Sequence, residues 1–172
     1  ELLVVTQEIQ IFEVTSPHTL EPLSLKLPVL PAVESLDVSV GDLNGDGLVD
    51  VVFALGIFAT ERVERRGYPD LVMMNLGAGR FELVHLEPSR ECYTHGLTLA
   101  DMNQDGRLDI VESCDASYFV GPSRVLINQT SPGAATPVFV ATETTYDTGT
   151  FGMGAAVADF DGDGLLDIYN TN

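Results

Sequence analysis

An aspartate-rich loop occurs three times in the chain, and its spacing restricts the fold more than any other feature. The loops begin at Asp42, Asp101 and Asp159, which are 59 and 58 residues apart. Their surroundings align without a gap, as VESLDVSVGDLNGDGLVDVVFALG (33–56), CYTHGLTLADMNQDGRLDIVESCD (92–115) and TFGMGAAVADFDGDGLLDIYNTN (150–172). A repeat of this length is a supersecondary unit that stacks on its neighbours to bury its apolar face.

Each loop lies between two short segments that alternate apolar and polar residues or are rich in β-branched residues, a pattern typical of strands. The material between the loops also repeats, as PDLVMMNLGAGRFELV (69–84) and SRVLINQTSPGAATPVFVAT (123–142). Each stretch predicts a strand, an Asn-containing turn and a strand at Phe81 or Phe139. The predicted fold is all-β, with each unit a four-stranded antiparallel blade of a β-propeller.

The repeats predict the domain boundaries. The predicted units are the outer strands of a preceding blade (1–32), two blades (33–91 and 92–149) and a partial blade (150–172). Because a closed propeller needs about 4–8 blades, we expect an excerpt of a larger propeller; an open or self-associating form is the alternative. The chain starts at Glu1 without a basic segment, so we expect a mature or trimmed piece in which no signal peptide is visible.

Oxygen-bearing side chains occupy positions 1, 3, 5 and 9 of every loop, Gly occupies position 6, and position 7 offers a backbone carbonyl. The predicted metal ligands are Asp42, Asn44, Asp46, Leu48 and Asp50 in the first loop (42–50), Asp101, Asn103, Asp105, Arg107 and Asp109 in the second (101–109), and Asp159, Asp161, Asp163, Leu165 and Asp167 in the third (159–167). Calcium takes 6–8 oxygen ligands with flexible geometry, whereas Mg²⁺ demands a near-ideal octahedron. The predicted cofactor is therefore Ca²⁺.

Charge agrees with this interpretation. The chain has a net charge of −18, and ten of its 26 acidic residues lie in the three loops, where they would repel one another without a cation. Such acidity opposes nucleic-acid binding. No run of apolar residues is long enough for a transmembrane helix.

Two alternative structures have the same loop pattern. The first is a plain Asp-Gly turn without a metal, but the occurrence of three such loops at a constant spacing argues against it. An EF-hand or dockerin is the other, and Glu112 stands at the twelfth position of the second loop, where an EF-hand has its bidentate Glu. Phe53 and Asn170 stand there in the other loops, and the flanks have the period of strands rather than helices.

The third copy, FGMGAAVADFDGDG, resembles the FG-GAP/VCBS repeat of integrin α-type propellers, with Phe151, Gly152, Gly154 and Ala155 at the positions that name the motif. NLGAGRF (75–81) resembles the turn between that repeat's outer strands. The segment GMGAAVADFDGDG of the third copy is also similar to secreted proteins of the cartilage acidic protein type and to bacterial relatives. The resemblance implies a seven-bladed propeller with calcium in the strand 1–strand 2 hairpins. It also implies an extracellular, cell-surface or periplasmic location, and it implies no catalytic residue.

Three further features have two interpretations each. Cys92 and Cys114 come close to facing each other across the second hairpin, so they are either a disulfide or two buried thiols. Asn128 begins an Asn-Gln-Thr glycosylation sequon but matches the turn residue Asn75, which favours a structural role. Arg62, Arg65 and Arg66, beside 115–123 and 144–150, are expected on the face opposite the calcium loops, as partner-binding residues or as a solvated insertion.

The sequence contains no recognisable catalytic constellation, so the first hypothesis is a non-enzymatic calcium-binding module for protein or carbohydrate interaction or adhesion. The second is the propeller scaffold of a polysaccharide-active enzyme whose catalytic residues lie outside this sequence. The third is a structural repeat of a large surface protein.

Overall fold

The computed structural model describes residues 9–31, 33–57, 66–88, 92–115, 122–142 and 152–171. Every regular element in these ranges is a β-strand, so the all-β prediction is confirmed. The strands are β1 (Phe12–Ser16), β2 (Thr19–Pro22), β3 (Glu34–Gly41), β4 (Asp50–Ile57), β5 (Arg66–Gly67), β6 (Leu71–Asn75), β7 (Phe81–His85), β8 (Thr94–Ala100), β9 (Asp109–Cys114), β10 (Arg124–Asn128), β11 (Phe139–Ala141), β12 (Gly154–Ala158) and β13 (Asp167–Thr171). None of the described residues forms a helix that could cross a membrane.

The strands form four antiparallel sheets. The first sheet has the order β3-β4-β6-β7, with the short β5 paired to β4. The second sheet has the order β8-β9-β10-β11, and the third sheet contains β12 and β13. Strands β1 and β2 form a separate N-terminal hairpin. The first and second sheets are therefore meanders in chain order, the topology expected of propeller blades.

Corresponding strands of the two meanders pair in the same register. Asn75 ends β6 and lies opposite Phe81, while Asn128 ends β10 and lies opposite Phe139. The two outer turns differ in length, yet each holds its Asn and its Phe at the same place. The repeat in the sequence is therefore a repeat in three dimensions.

The largest apolar core lies between the first and second sheets. Its members come from both sheets, which shows that the repeats bury their faces against each other. They are Leu43, Val52, Ala54, Val72, Met74, Leu86, Leu97, Ile110, Leu126 and Phe139. Removing this apolar surface from water stabilises the stack by roughly 25 cal/mol per Å².

The opposite face of the first sheet, here called the leading face, is only partly covered. Leu27 and Leu30 of the N-terminal segment pack near Phe53 and Met73. Val38 and Val40 of β3 point to the same side, because the intervening Ser39 bonds to the second sheet. Val38 is 51% exposed and Val40 is 64% exposed.

The third sheet packs on the second through a close backbone approach. A Cβ built on Gly96 would lie 2.6 Å from the Cα of Gly154. The Thr98 hydroxyl donates a hydrogen bond to the Ala155 carbonyl (2.6 Å), and the Ser113 hydroxyl donates to the Asn170 amide oxygen (2.8 Å).

The Cys92–Cys114 disulfide is present, with a Cα–Cα distance of 6.0 Å. It joins the residues beside the start of β8 to the end of β9, and both cysteines are buried. The prediction of a disulfide is therefore confirmed, and the alternative of two free thiols is wrong. Several other predictions lie outside the described residues: those on Arg62, Arg65, the Arg66 side chain, 116–121, 144–150 and Phe151.

Candidate metal centre

The carboxylate at position 1 organises each loop by accepting backbone N–H groups. Asp42 accepts from Gly45 and Asp46 through Oδ1 and from Gly47 through Oδ2, at 2.7, 3.2 and 2.8 Å. Asp159 accepts from the three corresponding residues of its loop, and Asp101 accepts from Asp105 and Gly106. The glycine at position 6 has φ of 83°, 87° and 89° in the three loops, which explains why a residue without Cβ stands there.

The side chains at positions 3 and 5 also accept backbone N–H groups of their own loop. Asn44 Oδ1 accepts the N–H of Asp46 (3.1 Å), and Asp46 Oδ1 accepts the N–H of Leu48 (2.8 Å). The second and third loops have the same bonds. The side-chain oxygens at positions 1, 3 and 5 therefore all accept backbone N–H groups of their own loop.

The carboxylate at position 9 joins the loop to the sheet. Asp50 accepts from Leu43 through Oδ2 (3.0 Å) and from Asn75 through Oδ1 (2.8 Å). Asp109 accepts from Met102 and Asn128 in the same way, both at 2.8 Å. The aspartate at position 9 thus fixes the loop to the end of the third strand of its own sheet.

Three carboxylates of the third loop come together. One oxygen each of Asp159, Asp161 and Asp167 lies within 4.8 Å of the others. Ca²⁺–oxygen distances are about 2.3–2.6 Å, so oxygens across one ion stand about 5 Å apart and the group fits calcium. The first two loops have Asn44 and Asn103 at position 3, so an amide oxygen replaces the middle carboxylate there. The fourth predicted acid, Asp163, stands outside this group of three.

Two position-9 carboxylates have raised pKa values. Burial is the main cause at both Asp50 and Asp109, and the N–H groups that they accept oppose it. The negative charges at positions 5 and 1 raise each pKa further. A bound cation acts in the opposite direction, because it favours the charged form of each carboxylate.

Arg107 does more than the sequence predicted. At position 7 it was expected to offer only its carbonyl. Its guanidinium also forms an ion pair with Asp105 and donates from Nε to the carbonyl of Asn128 (2.7 Å). A cationic side chain therefore bridges the second loop and β10, and it offsets part of the local negative charge.

Contacts between a loop and the next repeat were also missed by sequence reasoning. The first loop bonds to the outer turn of the second sheet: Asn44 Nδ2 donates to the carbonyl of Ala134 (2.9 Å), and the N–H of Gly133 donates to the Asn44 carbonyl (2.8 Å). In the next pair, Gln104 Nε2 donates to the carbonyl of Gly164 in the third loop (2.8 Å). The first and second loops are thereby each connected to the repeat that follows.

Asn128 is central to these contacts. Its side chain is fully buried, and its Nδ2 donates to the carbonyls of Leu43 and Leu108, both at 2.9 Å. Its Oδ1 accepts the N–H of Thr130 (2.8 Å). The atom that a glycan would modify is thus engaged inside the protein, which supports the structural interpretation of the sequon.

Glu112 has a different role from the EF-hand ligand that its position suggested. It pairs with Arg124, directly opposite on β10, and both side chains are buried. Asp70 of the first sheet adds a second buried carboxylate, which accepts from the N–H of Leu55 and the hydroxyl of Thr94, both at 2.8 Å. Burial raises the pKa of Asp70 well above its usual value, and the charge of Glu112 raises it further.

One comparison identifies the repeat. Residues 42–112 match the family model described as an FG-GAP-like repeat, from the first ligand of the first loop to the strand after the second loop. No curated protein matches the chain. The disulfide and this repeat point to an oxidising, extracellular setting. Residues 42–112 thus match an FG-GAP-like repeat, and the antiparallel sheets of the described residues are consistent with a β-propeller fragment of the FG-GAP/VCBS type.

Proposed function

We propose that this chain is a calcium-binding, extracytoplasmic propeller module that binds a protein or a carbohydrate, as an adhesion domain does. The observation that carries the calcium proposal is the shared geometry of the three loops, in each of which the position-1 carboxylate accepts the N–H of the position-6 glycine. The close approach of Asp159, Asp161 and Asp167 supports it. Millimolar calcium outside the cell would fill sites of the modest affinity usual in extracellular modules.

The role proposed for calcium is structural. Position 1 follows the first strand of each hairpin and position 9 begins the second, so an ion held by both ends fixes one strand against the other. The first and second loops also bond to the following repeat, and an ordered loop would therefore keep the repeats in register. Residues 42, 44, 46, 48 and 50, with their counterparts in the other loops, would hold the ions.

Calcium titration of the full chain tests this proposal. We expect calcium to raise the melting midpoint and EDTA to lower it, with about 1.4 kcal/mol of stabilisation per site when free calcium is ten times the Kd. Magnesium at equal concentration is expected to do much less. An EDTA-treated protein that melts at the same temperature contradicts the proposal.

A matched pair of variants separates a specific site from bulk charge. Asp161→Asn gives the third loop the Asp-x-Asn pattern of the first two and removes one charge, so we expect about tenfold weaker calcium binding at one site, since a charge-assisted bond is roughly twice as strong as a neutral one. Glu82→Gln removes one exposed charge outside the loops. Calorimetric titration should show the loss only for Asp161→Asn; equal losses would assign the effect to net charge.

The remainder of the proposal concerns the partner. We assign no catalytic residue to this chain, and the proposed contact surface is the face opposite the calcium loops, where the sequence predicts Arg62, Arg65 and Arg66. A screen of polysaccharides for degradation products tests the non-enzymatic role. Release of soluble sugars by this chain would overturn it and favour the polysaccharide-active alternative.

A further inference from the structure

The three aspartate loops differ in charge. Over nine residues the first loop has three aspartates, the third has four, and the second has three aspartates and Arg107. The formal charges are therefore −3 for the first loop, −2 for the second and −4 for the third. Position 7 accounts for the low charge of the second loop, because Leu48 and Leu165 stand there in the other two.

The guanidinium of Arg107 is fixed by a contact outside its loop. Its Nε donates to the carbonyl of Asn128 at the end of β10 (2.7 Å), and the N–H of the same Asn128 donates to Asp109 Oδ1 (2.8 Å). The second loop therefore binds the main chain at the end of β10 from both sides. Because a neutral carbonyl holds Nε, the position of the charge does not depend only on its attraction to the acidic loop.

The same guanidinium bonds to a predicted calcium ligand. Its Nη2 donates to Oδ2 of Asp105 at position 5, and Asn103 Nδ2 donates to that oxygen as well (2.9 Å). In the first loop the corresponding oxygen, Asp46 Oδ2, accepts from the neutral amide of Asn44 (3.1 Å). The second loop thus adds a full positive charge at a carboxylate whose counterpart in the first loop bonds to a neutral amide.

We propose that Arg107 is an internal counter-ion of the second loop, which lowers the calcium affinity of this loop and keeps the loop folded when calcium is removed. The inference rests on the proposed calcium function. An ion bound to Asp105 at about 2.3–2.6 Å lies about 5 Å from the guanidinium. At that distance one positive charge weakens the binding of a divalent cation by about tenfold, even at the dielectric constant of water.

Exposure of the ion pair makes the dielectric constant of water the appropriate one. The side chains of Arg107 and Asp105 are 44% and 26% exposed, so water and salt screen the charge. The opposition to calcium should therefore depend strongly on ionic strength.

The second hairpin also has a covalent link at the end opposite its loop. The aspartates of the loop repel one another, and Arg107 reduces this repulsion and connects position 5 to β10. The Cys92–Cys114 disulfide joins the two strands at their other end. The corresponding residues of the first hairpin are Val33 and Leu55, which cannot form a cross-link. We therefore expect the second hairpin to depend less on calcium than the first.

Calcium titration of the full chain, followed by NMR, distinguishes the three loops. Gly47, Gly106 and Gly164 each donate their N–H to the position-1 carboxylate of their own loop, at 2.8, 2.8 and 2.9 Å, so their amide resonances report on separate sites. Arg107→Leu gives the second loop the position-7 residue of the other two. The half-saturating calcium concentration at Gly106 should fall about tenfold, while the values at Gly47 and Gly164 stay within about twofold.

Arg107→Lys separates the charge from the hydrogen bonds. Lysine keeps the positive charge but has no planar fork that reaches Asp105 and Asn128 together. Calcium affinity at Gly106 should stay within about threefold of the parent value. Tightening equal to that of Arg107→Leu would overturn the explanation by charge.

Ionic strength gives a further readout. The tenfold difference between the parent and Arg107→Leu should shrink to about threefold or less when the salt concentration rises from about 0.01 M to 1 M, because the Debye length falls from about 30 Å to about 3 Å. A difference that stays constant over this range contradicts an electrostatic cause.

Hydrogen exchange in EDTA tests the second half of the proposal. The Gly106 amide should exchange at least about tenfold faster in Arg107→Leu than in the parent, since the loop loses its counter-ion and its bond to β10. Exchange at Gly47 should stay the same in both proteins. An unchanged rate at Gly106 overturns the stabilising role of Arg107.

Failure of this inference can be told apart from failure of the calcium function. If none of the three glycine amides responds to calcium, the calcium function fails and the effect on affinity fails with it. If all three respond but Arg107→Leu leaves the half-saturating concentration at Gly106 unchanged, the calcium function stands and the role of Arg107 is overturned.

Discussion

The two contacts between consecutive sheets are built differently. The first and second sheets share an apolar core, and Asn128, Asn44 and the Asp70–Glu112–Arg124 cluster add buried polar bonds across or beside it. The second and third sheets meet through glycine backbones and a few hydrogen bonds. No described residue of 152–171 belongs to either apolar core.

This difference separates two contributions: the repeat motif determines the conformation of its loop, and the neighbouring repeat determines how deeply that loop is buried. The three loops share most of their internal bonds, yet the position-9 carboxylate Asp50 is fully buried whereas its counterpart Asp167 is only partly buried. The covering of a loop comes from the outer strands and turn of the repeat that follows. Loop conformation is therefore local, and burial is a property of the stack.

Removal of the Asn128 side chain should cause the largest loss of stability, at the contact between the first and second sheets. Asn128→Ala leaves the carbonyls of Leu43 and Leu108 and the N–H of Thr130 without this partner, so we expect a loss of about 2–4 kcal/mol in the free energy of unfolding. Urea unfolding measures it.

Asn75→Ala is the matched control for Asn128→Ala. Asn75 holds the same register position, but it is half-buried and accepts from Gly77 (3.1 Å) within its own turn. We expect a loss of about 1 kcal/mol. Equal losses for the two variants would show that the turn, rather than the contact between sheets, needs the asparagine.

The weaker contact can be broken separately. Gly96→Ala places a methyl group against the backbone of Gly154, and we expect about 1–3 kcal/mol of local destabilisation, the usual cost of overpacking. Hydrogen exchange should accelerate in β12 and β13 while the first sheet stays protected.

Gly154→Ala tests whether the direction of the methyl group matters. Its Cβ would meet only the Thr171 hydroxyl, at 3.6 Å, which is an ordinary contact. We expect little change in exchange. Acceleration equal to that of Gly96→Ala would indicate loss of glycine flexibility instead of a clash.

The smallest effect concerns Asp70, the carboxyl group buried at the contact between the first and second sheets. Because burial raises the pKa of Asp70 in the folded state, the folded protein keeps its proton as pH rises above 3.8 while the unfolded chain releases it. The free energy of unfolding therefore falls with rising pH through that window. Asp70→Asn removes this term, so its stability relative to the parent should increase with pH.

Urea unfolding of both proteins at several pH values from about 4 to 8 measures this difference. Glu82→Gln is the control, because Glu82 is exposed and should show a parallel profile with the parent. A flat difference between Asp70→Asn and the parent would contradict the assignment of the proton to Asp70.

The repeat made the strands, the loops and their order predictable from sequence. Alternation fixed which elements are strands, and Asp, Asn and Gly at fixed offsets fixed the loops. The closeness of Cys92 and Cys114 across the second hairpin was also predictable, whereas the choice between a disulfide and two thiols needed the structure.

The features that the sequence did not predict lie at positions where one repeat differs from another. Phe53 and Leu71 face each other in the first sheet, where the second sheet has Glu112 and Arg124. The sequence could not reveal that Asp70, from a different repeat, lies beside the charged pair. The interaction of Arg107 with β10 was missed for the same reason, since its loop position implied only a backbone role.

The disulfide has a consequence for mechanical load, which a module on a surface can experience. A chain pulled from its ends extends by roughly 3.3–3.6 Å for each residue released. The segment between Cys92 and Cys114, a separation of 22 residues, stays within the 6.0 Å span of the two Cα atoms. Under tension the first and third hairpins can open completely, whereas the second keeps its aspartate loop within a closed covalent ring.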